Sequence, residues 1–160
     1  MLVVTAHPGP RAVDLPETVR EALIAQARAE YPNEACGLIV GDAWAAHGGR
    51  ALRYEPTRNE AASPYRYTIH PSDLLRLTIE TDDADEVFWG IVHSHTHTPA
   101  VPSPTDVGLA TVYRDPLYVL VSLSGDEADR TTGEPSVRAW RIVEGVVHEV
   151  GLRRTVNRRD

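Results

Sequence analysis

The chain has 160 residues, 42% of them hydrophobic and 24% charged, with a single cysteine and a formal net charge of −7. That is the size of one ordinary domain with a full core, and one cysteine excludes an intrachain disulfide, which suits a reducing compartment, the cytoplasm by default. The acidic balance argues against a nucleic-acid partner, no apolar run reaches the ~18 residues of a membrane span, and residues 1–8 do not read as a signal peptide.

The spacing predicts a first helix starting near Asp14-Leu15-Pro16-Glu17, with Asp14 and Glu17 as a capping box, an apolar face of Val19, Leu23, Ile24 and Ala27, and a stop at Tyr31-Pro32-Asn33. Ala35 to Gly41 is a short apolar run bounded by glycine, hence a buried strand. Trp44–His47 and Arg50–Pro56 are expected to form a hairpin around Gly48-Gly49, and Tyr65–Ile69 alternates as a strand does. A second helix is predicted from Pro71, carrying Leu74, Leu75, Leu77 and Ile79, and running out in the acidic stretch Asp82–Glu86, read as solvated surface. Val87 to Val92 is a strand, Ser103-Pro104-Thr105-Asp106 opens a third helix through Val112, and Leu117 to Leu123 is a further strand. Val137–Ile142 and Val146–Val150 pair around Glu144-Gly145, and a polar tail follows over 151–160. Three helices among seven or eight strands predict one α/β domain over 1–160, its core from about 13 to 150.

The chemistry concentrates directly after the strand Val87–Val92. Three of seven histidines stand in His93-Ser94-His95-Thr96-His97. Side chains at i and i+2 of a strand share a face, roughly 6.6 Å apart at the backbone. An HxH pair alone is weak evidence, and Ser-Pro-x-Asp alone is a good helix start. Together they carry more. His93-x-His95, seven residues and Ser103-x-x-Asp106 put two imidazoles and one carboxylate within reach of a zinc ion, leaving a fourth position for water. Such a water needs a base, and Glu34 heads the strand that follows the first helix. All sixteen basic residues are arginine, so no lysine can serve in its place.

Glu34-Ala35-Cys36-Gly37, with His93-x-His95 and Ser103-x-x-Asp106, resembles the JAMM or MPN-plus metalloprotease motif. The segment Asn59–Tyr67 and the order of elements resemble the compact bacterial members, over about Val13 to Val150. The resemblance implies an α/β/α sandwich on a mixed sheet, similar to cytidine deaminases. It implies one zinc ion on His93, His95 and Asp106, with Glu34 as general base and Ser103 hydrogen-bonding the oxyanion or positioning the water. It further implies a ubiquitin-like partner ending in diglycine. The short, lysine-free form resembles the actinobacterial enzymes that release cysteine from a sulfur-carrier protein in cysteine biosynthesis. A broader isopeptidase on ubiquitin-like conjugates and a non-catalytic scaffold are the alternatives.

His97 is expected to be a loop or substrate-facing residue and Cys36 a small buried hydrophobe. His7, His47, His70 and His148 have no partners at ligand spacing and are read as structural, His70 capping the second helix.

Overall fold

Apolar runs that fill whole strands demand cover on both faces, and helices supply it. The computed structural model describes residues 9–156. His7 and the last four residues of the expected tail lie outside them. Seven strands, β1 (Ala12–Pro16), β2 (Cys36–Gly41), β3 (Ala51–Thr57), β4 (Val87–His95), β5 (Leu117–Ser122), β6 (Ser136–Val143) and β7 (Val146–Thr155), alternate with helices α1 (Glu17–Glu30), α2 (Pro71–Asp83) and α3 (Pro104–Leu109). They form one sheet in the order β1-β7-β6-β5-β4-β2-β3. The β1/β7 and β4/β5 pairs are parallel and the other four antiparallel, so the sheet is mixed, as expected.

Every residue of β2 and β5 is buried. Neighbouring residues on these central strands face opposite ways. Ile39, Val92, Val119 and Val121 join Val19, Leu23, Ile24 and Ala27 of α1 in one cluster. Leu38, Ile91 and Leu120 join Leu77 of α2 and Ala110, just after α3, in the other. The two clusters make the α/β/α sandwich.

Several local expectations give way to pairing. Asp14 and Glu17 form no capping box: Pro16 stands at the helix start without a side-chain cap. The backbone of 12–16 is instead committed to the ladder with β7, and the two carboxylates meet Arg153 and Arg154 at 2.6 and 2.5 Å. For the same reason the polar tail begins later, since β7 continues to Thr155. Trp44–His47 is no strand: Ala45–His47 is a 3-10 turn, and the hairpin joins β2 to β3. Tyr65–Ile69 contributes a single bridge, Ile69 to Asn59. α3 stops at Leu109, where the Thr111 hydroxyl bonds back to the Gly108 carbonyl at 3.0 Å. In α2, Leu77 is buried while Leu75 and Ile79 face outward, and His70 does cap the helix, its Nδ1 accepting from the Ser72 amide. Of the acidic stretch, Glu86 is not free surface: it forms a forked pair with Arg53 at 2.9 and 3.0 Å.

Gly37 sits where β2 and β3 pack too closely for a side chain. A methyl group there would meet the Tyr54 phenol and lie 2.7 Å from the Glu55 carbonyl oxygen. Gly37→Ala is expected to cost about 1–3 kcal/mol, read as a lowered midpoint in denaturant; an unchanged midpoint would refute the close approach.

Candidate active site

β4 and β5 run parallel and are joined through α3, and the crevice beyond the carboxyl ends of such strands is where α/β sheets place ligands. His95 is the last residue of β4, opposite Ser122 at the end of β5. His93 and His95 share a face, and α3 brings Asp106 to them from its first turn. The turn is built by a reciprocal capping box. The Asp106 amide donates to the Ser103 hydroxyl oxygen at 3.1 Å, and the Ser103 amide donates to Asp106 Oδ2 at 2.8 Å.

The three side chains converge on one point. His93 Nε2 and His95 Nε2 are 3.2 Å apart, and they lie 3.2 and 3.1 Å from Asp106 Oδ2. Around an ion with bonds of about 2.0–2.1 Å, tetrahedral corners stand about 3.3–3.4 Å apart, so the donors are spaced to hold one metal ion. Their chemistry agrees. His95 donates Nδ1–H to the Pro99 carbonyl at 2.8 Å, which turns the Nε2 lone pair of the neutral ring inward. An Nε2 lone pair so directed beside a carboxylate oxygen suits a cation placed between them.

Burial lowers the pKa of His93, favouring the neutral ring that a metal needs. At Asp106 burial opposes ionisation, yet the two imidazoles and the Ser103 amide hold the carboxyl well below the usual range. His93 is further fixed by stacking on Tyr67, ring centres 4.4 Å apart.

Glu34 reaches the same place through register. Cys36 pairs with His93 across the antiparallel β2/β4 ladder, and two further bonds extend it. The Ser94 amide donates to the Ala35 carbonyl at 3.0 Å, and the Ala35 amide donates to the Ser94 hydroxyl oxygen at 2.7 Å. Glu34 therefore lies opposite His95. Its side chain is 5% exposed, and it lines a cavity of about 170 Å³ with His95, Thr96, His97, Ser103 and Pro64. Burial raises its pKa to about 7, with the Asp106 charge adding to the rise and His95 opposing it. A carboxyl so tuned exchanges protons near neutral pH.

Of the five residues singled out from the sequence, Glu34, His95 and Ser103 line this cavity, and His93 and Asp106 stand behind it at 3.2 and 3.1 Å from His95 Nε2. His97 does not join the donor triangle, because the chain bends after His95; its ring meets Tyr31 edge-on at 6.0 Å. Cys36 is fully buried, and burial pushes its thiol up to about 11, which suits an inert side chain.

Sequence reasoning missed Asn59. Its Nδ2 donates to the carbonyls of Glu34 and Arg66, both at 3.1 Å. Its Oδ1 accepts from the amides of Ala61 and Thr68. The Glu34 amide donates to the Ser63 carbonyl at 2.8 Å, so one amide side chain ties the 60–68 loop to Glu34. The only sequence signal was an asparagine at a strand end, a common turn former.

Residues 16–143 match the family of prokaryotic homologs of the JAB domain. The chain belongs to that family. Its JAB domain is 41% identical over 128 residues to the CysO-cysteine peptidase of Mycobacterium tuberculosis (strain ATCC 25618 / H37Rv), covering 80% of this chain and 81% of the relative. It is 29% identical over 99 residues to a desampylase of Haloferax volcanii, covering 59% of this chain and 69% of that one. Among solved structures, protein DSY2949 from Desulfitobacterium hafniense superposes on the JAB domain with a TM-score of 0.74 and 27% identity, covering 90% and 93% of the two chains.

Removing the Asn59 amide leaves the Glu34 carbonyl and the loop amides short of partners. Asn59→Ala is expected to cost about 1–3 kcal/mol and to raise hydrogen exchange over 60–68 selectively; exchange confined to other segments would overturn the assignment.

Proposed function

We propose that the chain is a zinc-dependent peptidase that hydrolyses the bond after the C-terminal glycine of a ubiquitin-like sulfur-carrier protein, releasing cysteine in the cytoplasm. The observation that carries this reading is the convergence of three donor atoms within 3.2 Å of one another, on a cavity whose wall includes both Glu34 and Ser103. The name of the mycobacterial relative, a CysO-cysteine peptidase, supports the carrier as substrate.

His93, His95 and Asp106 would hold the zinc ion, one per chain. When bound, the ion supplies Lewis acidity that eases ionisation of water near neutral pH and polarises the scissile carbonyl. The chain supplies the rest. Glu34 takes the proton from the attacking water and returns it to the leaving amine, a transfer suited to a carboxyl whose pKa burial has raised to about 7. Ser103 serves twice without conflict. Its oxygen accepts the Asp106 amide hydrogen bond, while its hydroxyl proton stays available to the oxyanion. Tyr67 and the Pro99 carbonyl hold the imidazoles in place.

A second reading is an isopeptidase on ubiquitin-like conjugates, favoured by the similarity to a desampylase. The two differ in leaving group, a free amino acid against a lysine side chain. Comparing kcat/KM for a carrier–cysteine adduct and a lysine-linked conjugate decides between them.

Glu34→Gln is expected to lower kcat about 10²–10⁴-fold while the purified protein still binds zinc at wild-type stoichiometry by elemental analysis; turnover at the wild-type rate would sink the role of Glu34. Asp106→Asn is expected to lose zinc on dialysis and lose activity with it. Zinc retained by that variant at wild-type affinity would remove Asp106 from the ligand set.

A further inference from the structure

The catalytic cavity opens into a second, larger space. A groove of about 550 Å³ shares the Thr96 and His97 wall with it and lies between the end of α1 and the segments after β5 and before β6. Ser122 and Ser124 line it on one side, and Arg28 and Tyr31 line it at the end of α1. Arg28 stands in the last turn of α1 and is exposed. Arg20, Arg53, Arg138 and Arg154 are held in ion pairs, whereas Arg28 has no hydrogen-bond or ion-pair partner among the described residues. The groove therefore presents an uncommitted guanidinium in a chain of net charge −7.

A substrate cut after a diglycine tail is asymmetric in charge. The tail contributes glycines with nothing ionised to recognise. A single leaving amino acid carries an α-carboxylate two bonds from the scissile nitrogen, whereas a lysine side chain in an isopeptide link carries none there. A guanidinium is the side chain best shaped to take a carboxylate through two parallel hydrogen bonds.

We propose that this groove is the leaving-group subsite and that Arg28 binds the free α-carboxylate of a C-terminal amino acid. This rests on the peptidase reading above and narrows it: the enzyme removes a terminal residue and turns away bonds whose leaving side lacks a carboxylate. His97 lines both spaces and so borders the path of the leaving residue.

The test uses the zinc-loaded full chain and two adducts of one carrier, ending in cysteine or in cysteine amide. The wild type is expected to favour the free acid by about 10–100-fold in kcat/KM, the range of a charge-assisted hydrogen bond. Arg28→Gln is expected to raise KM for the acid and bring the ratio close to one, with Arg28→Lys in between. Arg28 is exposed, so both variants should fold, and their thermal midpoints check this. Equal cleavage of acid and amide by the wild type would overturn the proposal while leaving the peptidase reading standing. So would an undiminished preference in Arg28→Gln. Cleavage of neither adduct would overturn both.

Discussion

The antiparallel register of β2 against β4 is the constraint on which the site depends. Cys36 faces His93, the Ser94 hydroxyl clasps the Ala35 amide, and a carboxylate about sixty residues upstream is delivered beside the histidine pair. A slip of one residue would turn every side chain of β2 to the opposite face. Both faces of β2 are buried, so a slip would also push Leu38 and Ile39 into the wrong halves of the core. Packing thereby protects the chemistry.

The second constraint is electrostatic. Four ionisable groups, Glu34, His93, His95 and Asp106, are all buried, an arrangement that is costly for charges without partners. The cluster meets the cost by sharing. Asp106 stays ionised because two imidazoles and an amide address one oxygen, and His95 is aligned by a backbone carbonyl. Glu34, with no such partner, is the group whose proton is loosely held near neutrality. On the proposed reading, strong pairing of one carboxylate and weak pairing of the other separate a ligand from a base.

Much of this was legible in the sequence because it rests on local spacing. The HxH strand end, the Ser-Pro-x-Asp helix start and the apolar runs of β2, β4 and β5 are short-range patterns, and each formed where it was read. The misreadings share a cause: local signals lost to partners far away in the chain. Asp14 and Glu17 have capping spacing, but β7 had a ladder to offer and Arg153 and Arg154 had charges. Tyr65–Ile69 alternates as a strand, yet Asn59 takes the loop's polar groups instead. Arg28 carries no signal of its own in the sequence, since a groove built from distant segments leaves no trace in a linear chain.

Oδ2 of Asp106 accepts the Ser103 amide and faces both imidazoles, so the atom that begins the helix is also the atom offered to an ion. Any substitution at 106 changes the helix start and the donor set together, and neither can drift alone. The two histidines, anchored by the ladder rather than by a cap, carry no such double duty. A change of donor set therefore leaves the helix start intact only when it is made on the strand.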